Sequence, residues 1–483
     1  VRVGATPFSD PRQLAAIDEL IREKPDEVAL RFGRACCLED LGRIDDALQA
    51  YVELLGREPT HFGGLTNLGS LLFERGYLAQ ARPYISAAVK LHPADPVALV
   101  NFAQLQASGD DDFDAAIATY TSSLQIKPDF LHAHLGLAAI YTETGHPELA
   151  QAHLDRAYTE PKAWSFPYRG SAPPLQVLLL VSAFGGDMVT NLFFDDDVVQ
   201  KGVLLADSVR GKLDLPPYHV LFNAIGDADR SRPSLERAVA IAAASPAAVI
   251  NQPSAVLRTG RVETMQRLRD VPGVRAPRTE RIARETLTAG ALAERGFAFP
   301  LLLRSPGHHA GDHFAVARTA DELAEVTAEL PGRDLLAIEY LDARGADGDV
   351  RKYRVVAVDG KLYPVHLAVA PQWKVHYFSA EMSDRPDHRA EEAAFLEDMA
   401  AVVGERGMRG LEAIVATMGL DYAGVDFGLD SAGTILVFEA NATMAVYPPD
   451  DGELWGYRRR AVDRVIAAVR AMLVERAKTA GYG

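Results

Sequence analysis

The sequence predicts a multidomain protein in which an all-α array of repeats precedes an α/β body. Three observations carry that expectation. Pro25, Pro59, Pro93 and Pro128 are separated by 34, 34 and 35 residues, and Ala47, Ala81, Ala115 and Ala150 follow each proline by 22. After Glu160 this register stops and a stretch rich in Pro, Gly and aromatics follows, PKAWSFPYRGSAPP. Beyond it, short apolar runs alternate with helical patterns, the order that builds sheets flanked by helices. A chain of 483 residues exceeds one ordinary core, so the expected parts are residues 1–161 for the repeats, 162–175 for a linker, 176–255 for a first α/β domain and 256–483 for a second.

Each repeat reads as a helix-turn-helix. Gly42, Gly76 and Gly145 sit 17 residues after a proline, with Asp110 in that place in the third unit. Glycine there takes the left-handed conformation between two helices, the alanine lets the second helix pack closely, and the proline stops it. Asp10 to Lys24 is an amphipathic helix capping the array. His132 and His134, at i and i+2, face different sides of a helix and read as surface residues. With motifs such as LTNLGSLLFERGYLAQA and LHAHLGLAAIYTETGHPELA, residues 25 to 161 resemble the tetratricopeptide repeat. The resemblance implies a concave surface that binds a peptide or protein, lined here by Phe32, Glu39, Thr66, Phe73, Glu74, Gln104, His132, Leu135 and Glu143. The alternative is an array that self-associates into a homodimer or props up the second domain.

Composition narrows the function classes. Net charge is −16, which argues against a general nucleic-acid or anionic-membrane binder, so any phosphate site must be locally basic. Cys36 and Cys37 are adjacent on a helix and point about 100° apart, which disfavours a disulfide and fits a reducing compartment. With no signal-peptide pattern and no apolar run of about 18 residues, a cytoplasmic location is expected.

In the body, strands are expected at Gln176 to Ser182, His219 to Ile225 and Ala247 to Ile250, and Asp359-Gly360 marks a hairpin turn. The most telling stretch is Gly424 to Asn441, GVDFGLDSAGTILVFEAN. If Val425-Leu429 and Thr434-Ala440 pair around Ser431-Ala432-Gly433, the period of two puts Glu439 and Asn441 on one face, and Asp426 can lie opposite them. Two carboxylates and an amide oxygen then converge as a seat for Mg2+, a hard cation that shares its remaining positions with water and phosphates. The final helix, Tyr457 to Lys478, packs on the body, with Arg458-Arg459-Arg460 on a solvated face.

Together with the N-x-P turn at Asn251, the F-P strand with its glycine loop, and the Asp349-Val350-Arg351 strand, this ending resembles the ATP-grasp superfamily over about residues 176 to 478. The resemblance is above all to the glutathione-synthetase-like and peptide-modifying carboxylate-amine ligases. It implies an α/β (α+β) ATP-grasp fold with a lid subdomain at about 295–340, and the cofactors ATP and Mg2+. It makes Asp426, Glu439 and Asn441 the metal ligands, and Glu339, Tyr340 and Leu341 the hinge that pairs with the adenine edge. Arg304 and Arg261 stand where lysines commonly hold phosphates, and Pro306 to Asp312 is the closing loop, here carrying His308, His309 and, just beyond it, His313. Arg351 matches an arginine on the transferring phosphoryl group. In HLAVAPQWKVHYFSAEM, Trp373 and Tyr377 offer aromatic walls, Lys374 a carboxylate partner and His376 a base for the amine proton.

The expected activity is therefore an ATP-dependent ligation of a carboxylate to an amine through an acyl phosphate, on a peptide or protein recruited by the repeats, with a small molecule or amino acid as co-substrate. Two alternatives stay open: a kinase acting on a small-molecule hydroxyl, and a nucleotide-binding adaptor without turnover.

Overall fold

The computed structural model describes residues 1–3, 11–41, 43–75, 77–109, 112–144, 146–159, 162–209, 215, 217–306, 313–330, 332–375, 382–449 and 453–482. The chain divides into two compact units, Val1–Thr159 and Glu160–Gly483.

Among the described residues the first unit is built from nine helices: α1 Pro11–Glu23, α2 Val28–Asp40, α3 Ile44–Arg57, α4 Phe62–Glu74, α5 Leu78–Leu91, α6 Pro96–Gly109, α7 Phe113–Ile126, α8 Leu131–Glu143 and α9 Pro147–Ala157. The prolines at 25, 59, 93 and 128 fall in the turns before α2, α4, α6 and α8, where a missing N–H costs no helical bond. Ala47, Ala81 and Ala150 each occupy the fourth position of the second helix of a pair and are buried. In the third repeat that place belongs to Ala116, fully buried, and not to Ala115. The longer 35-residue proline spacing of this repeat moves the packing position by one. At Gly69 a Cβ would stand 2.7 Å from Ile85 Cγ1, so α4 and α5 approach at a distance that only glycine permits. Gly42, Gly76, Asp110 and Gly145 lie outside the described residues.

The second unit is a mixed α/β body with three sheets among the described residues. The first has the order β1-β3-β2-β4-β5, formed by β1 Ala163–Ser165, β2 Leu175–Val181, β3 Val199–Leu205, β4 Val220–Asn223 and β5 Ala248–Ile250. Strands β2 to β5 are parallel and largely buried, and helix α10, Arg232–Ala243, makes the crossover from β4 to β5. A short helix α11, Pro253–Val256, and α12, Arg261–Leu268, lead to β6, Val274–Arg275.

The second sheet is four-stranded and antiparallel, ordered β7-β10-β8-β9. It comprises β7 Thr279–Ala283, β8 Leu301–Arg304, β9 Phe314–Ala317 and β10 Asp334–Glu339, with helices α13 Ala289–Glu294 and α14 Leu323–Glu329 completing its own core around Leu292, Leu301, Leu303 and Leu335.

The third sheet, ordered β12-β11-β13-β14-β6, contains β11 Val350–Val358, β12 Lys361–Ala370, β13 Tyr422–Leu429 and β14 Ile435–Asn441. Asp359 and Gly360 join β11 to β12 with φ of 49° and 77°, the paired positive angles of a tight hairpin turn. One face of this sheet carries Tyr353, Val355, Val425, Phe427 and Val437 into a core shared with α15, Pro386–Glu397, and α16, Met399–Met418. There Tyr353 stacks on Phe427 at 5.2 Å and meets Phe395 edge-on at 5.0 Å. On the opposite face, Val356, Val358 and Tyr422 pack with Val462, Val465 and Val469 of the last helix, α17 Arg459–Lys478.

Two further expectations need correction. Arg458 is buried rather than solvated: it donates to Glu392 from Nε and Nη2 at 3.0 and 2.7 Å, and its guanidinium lies 3.9 Å from the Trp455 ring. Glu392 is fully buried on α15, so this pair ties α15 to the start of α17. His134 is buried as well, with Nε2 at 2.9 Å from the Pro128 carbonyl and Nδ1 at 2.9 Å from His153 Nδ1.

Candidate functional site

The site grows from the pairing of β13 with β14. Near the turn the register sets Leu429 opposite Ile435 and Phe427 opposite Val437. Continued regularly, it would set Asp426 opposite Phe438 and send Glu439 into the Phe427 core. A bulge between Asp426 and Phe427 inserts one residue, so that Asp426 faces Glu439 and Gly424 faces Asn441. Phe438 joins an apolar cluster with Leu341 and Val375, while Glu439 and Asn441 come to the face of Asp426.

Four cations meet these two carboxylates. Asp426, only 1% exposed, accepts from Arg354 Nε at 2.6 Å and Nη2 at 2.8 Å, and pairs with Lys352 Nζ at 2.8 Å. Glu439 Oε1 accepts from Arg261 Nη2 at 2.7 Å and from Asn441 Nδ2 at 3.0 Å. Burial alone would raise both carboxyl pKa values. Arg354 and Lys352 outweigh it at Asp426, and Arg261 and Arg304 outweigh it at Glu439, holding both below the usual carboxylate range. Asn441 Oδ1 accepts from the Thr443 N–H and hydroxyl at 2.9 and 3.0 Å. Arg261 opens α12, and its own N–H donates to Asp229 at 2.8 Å.

Asp426, Glu439 and Asn441 present oxygen atoms on one face, the atom type that a hard cation takes, but both Asp426 oxygens are bonded to Arg354 and Lys352 and Asn441 Oδ1 accepts twice from Thr443. All the donors are oxygen, and Glu439 Oε2 has no partner among the described residues. Among those residues no group of three His, Cys, Asp or Glu side chains is placed to hold a metal by itself. Asp229 and Asp227 add their carboxylate charge beside Arg261.

Arg351 stands apart from this cluster. Neighbouring strand residues point to opposite faces, so Arg351 lies across the sheet from Lys352 and Arg354. It bonds Glu391 of α15 at 2.5 and 3.0 Å and Asp347 at 2.7 and 3.0 Å. The β11 guanidinium at Asp426 is Arg354, which like Lys352 carries no signal in the sequence. Every residue from Val355 to Val358 is buried, so β11 shows no alternation there that would assign faces.

The remaining expected residues form two groups. At the end of β10 the Glu339 carboxylate accepts from the Arg278 N–H at 3.0 Å and Arg275 Nη2 at 2.8 Å, and the Glu339 N–H donates to the Arg278 carbonyl. Burial opposes ionisation of Glu339, and the Arg278 and Arg275 bonds overcome it. Leu341 packs beside Phe438, and its backbone N–H bonds no described group. The Tyr340 hydroxyl lies 3.4 Å from Arg344 Nη2. Across the second sheet, the Arg304 guanidinium lies 5.3 Å from the Phe314 ring, which Trp373 meets edge-on at 5.2 Å. Lys374 Nζ donates to the Phe314 carbonyl at 3.3 Å, joining the segment after β12 to β9. His308, His309, His376 and Tyr377 lie outside the described residues, as does the loop 307–312.

Asn251 of the N-x-P turn holds a left-handed backbone, φ 54°, that asparagine tolerates better than most residues. Its side chain donates to the Tyr422 carbonyl at 3.0 Å and accepts from the Tyr422 N–H at 2.8 Å, pinning the start of β13 to the end of β5. It acts on the site through the strand it positions.

Comparison with known proteins bears on the repeats. Tetratricopeptide-repeat family models match residues 14–61, 34–98 and 107–157. A curated relative, the cellulose synthase operon protein C of Xanthomonas axonopodis pv. citri (strain 306), is 42% identical over 82 residues, 17% of this chain and 5% of that protein. The chain thus spans a small fraction of that relative's length. Among solved structures, MamA 41-end from Desulfovibrio magneticus RS-1 is 20% identical over 30% of this chain and 81% of its own, with a TM-score of 0.27. A thermophilic tetratricopeptide-repeat protein from Thermus thermophilus is 22% identical over 30% of this chain and 79% of its own, also at 0.27. The first unit consists of tetratricopeptide repeats, an architecture that generally mediates protein interactions.

Proposed function

We propose that this chain is an ATP-dependent carboxylate-amine ligase of the ATP-grasp type, with a repeat unit that engages a peptide or protein. The supporting observation is the bulged β13–β14 pair, which sets Asp426, Glu439 and Asn441 on one face among Arg261, Lys352, Arg354 and Arg304. An anionic substrate carboxylate and a nucleotide triphosphate repel each other, and this cationic surround lowers that repulsion. Bound Mg2+ would screen the phosphate charge, held by Asp426, Glu439 and Asn441. Arg354 and Arg261 orient the two carboxylates, and their guanidiniums would supply positive charge to phosphoryl oxygens bound beside them. The Leu341 backbone offers an edge for adenine, and Phe438 and Val375 pack against that hinge. Lys374, which donates to the Phe314 carbonyl, would supply a cation to a substrate carboxylate or the acyl phosphate.

Mass spectrometry of the full chain with ATP, Mg2+ and an amino-acid or peptide mixture tests this reading. A product heavier by an amino acid less water, with equimolar ADP, is expected. Phosphorylated product without an amine requirement would assign a kinase instead. Glu439→Gln should lower ADP release at least about a hundredfold with the fold intact by circular dichroism. Undiminished release would remove Glu439 from the reaction.

A second reading, an adaptor that binds nucleotide without turnover, is favoured by the arginines at positions 261 and 304 and by the double capture of Asp426. It predicts nucleotide binding with no ADP formed from any mixture.

A further inference from the structure

Strand β1 stands at the edge of the first sheet, and its outer side pairs with no other strand among the described residues. The ladder to β3 shows which of its groups face outward. The Leu205 N–H donates to the Lys162 carbonyl at 3.0 Å and the Phe166 N–H to the Lys201 carbonyl at 2.8 Å, in a register that sets Trp164 opposite Val203. Bonded residues alternate in an antiparallel pair, so Lys162, Trp164 and Phe166 bond inward, and the N–H and C=O groups of Ala163 and Ser165 point away from β3. Those four groups bond nothing outside the ladder among the described residues.

The side chains along this edge are open as well. Trp164 is 51% and Phe166 43% exposed, and both lie on the face of Val203 and Lys201, whose Nζ stands 4.3 Å from the Phe166 ring. On that face a row runs across the strands through Phe222, Leu179, Val203 and Trp164. Phe222 and Leu179 are buried and Val203 packs against the same core, while the indole at the end of the row is left half in water. Such an edge offers both the bonds and the apolar cover that a further strand needs.

The sequence says which strand fits. In PKAWSFP, Pro161 and Pro167 stand three residues to either side of Trp164, and a residue without an N–H ends pairing in both directions. The remaining five residues are complementary to themselves. An antiparallel copy centred on Trp164 sets Ala163 opposite Ser165 of the second copy and Ser165 opposite its Ala163, which uses all four outward groups of each edge. Trp164 then meets its counterpart on the axis, at the position where facing side chains come closest, and Lys162 reaches Phe166 of the second copy. A register shifted by two residues brings a proline opposite an outward-facing residue and loses a bond.

We propose that two copies of this chain pair antiparallel through β1, joining their first sheets into one across a two-fold axis at Trp164. The surface lies within Glu160–Gly483, and the pairing is independent of the nucleotide and peptide readings. Five residues a side make a small, transient interface, so association follows protein concentration.

Sedimentation of the full chain should show a dimer at about 100 µM that dissociates on dilution to about 1 µM. Trp164→Glu and Trp164→Lys, each placing like charges on the axis, should weaken association at least about tenfold, and mixing the two variants should restore it, which separates a lost interface from a folding defect. Trp164→Cys should form a disulfide-linked dimer under mild oxidation, because the facing residues lie within disulfide reach. Phe166→Cys should not, since its two copies lie about 14 Å apart along the paired strands, and the native Cys36 and Cys37 are buried. A monomer at about 100 µM, no association of the mixed Glu and Lys variants, or equal cross-linking from positions 164 and 166 would overturn the proposal.

Discussion

Asp426 shows how a single carboxylate ties stability to site geometry. It is ionised although buried, because both oxygens face Arg354 and one also faces Lys352. Arg354→Ala leaves that charge with Lys352 alone and should cost about 3 to 5 kcal/mol in urea unfolding, along with MgATP affinity. Arg351→Ala removes partly exposed pairs on the other face and should cost about 1 kcal/mol while sparing nucleotide binding. The reverse order of the two losses would return the phosphoryl role to Arg351. A second carboxylate carries a pH signature. Burial pushes Asp187 up to about 6 against the lowering bond from the Ser182 N–H, and the charge of Asp207 adds to the rise. Its folded form therefore binds a proton that the unfolded form has released. The resulting stability is fully present below the ordinary carboxyl pKa and is lost as pH rises through about 6. Asp187→Asn should flatten that slope and add about 1 to 2 kcal/mol at pH 7 in chemical denaturation, allowing for partial exposure.

At the scale of elements, the Asn251 clamp and the β14 bulge decide where the site residues stand. Asn251→Ala strips both bonds to Tyr422 and leaves a methyl side chain at positive φ, so it should destabilise by about 3 kcal/mol. Asn251→Gly, which relieves the backbone but not the lost bonds, should recover about 1 kcal/mol of that. Equal loss in both variants would mean that the conformation contributes nothing. Much of this level was legible in the chain: the Asp359-Gly360 hairpin and the strands at Leu175, Val220 and Ala248 begin within a residue of their expected starts. The bulge was not, because nothing in Ile435–Phe438 distinguishes a regular strand from one with an inserted residue; the choice depends on Phe438 finding Leu341 and Val375 to pack against.

At the scale of the whole molecule, the two units differ in how their contacts are made. Repeats bury their faces against sequence neighbours, so their order is encoded locally and one register error, Ala115 for Ala116, stays local. The second unit joins strands far apart in sequence, as when Asn251 meets Tyr422. All residues of the proposed nucleotide site fall within Glu160–Gly483. A variant lacking residues 1–159 should therefore bind MgADP within about twofold of the full chain by calorimetry. A nucleotide affinity that falls more than about tenfold with the fold retained would show the site to depend on the repeats.

The sequence by itself determined the repeat period, the change of architecture near residue 160 and the oxygen-rich ending of Asp426, Glu439 and Asn441, because period and composition are carried by neighbours along the chain. Only the tertiary structure decided that Arg354 and Lys352, not Arg351, face those carboxylates, that Arg458 and His134 are buried, and that Trp164 and Phe166 stand exposed at a sheet edge. The physical reason is register: a strand shifted by one residue turns every side chain to the other face, and that shift is settled by packing across the sheet rather than by anything adjacent in sequence.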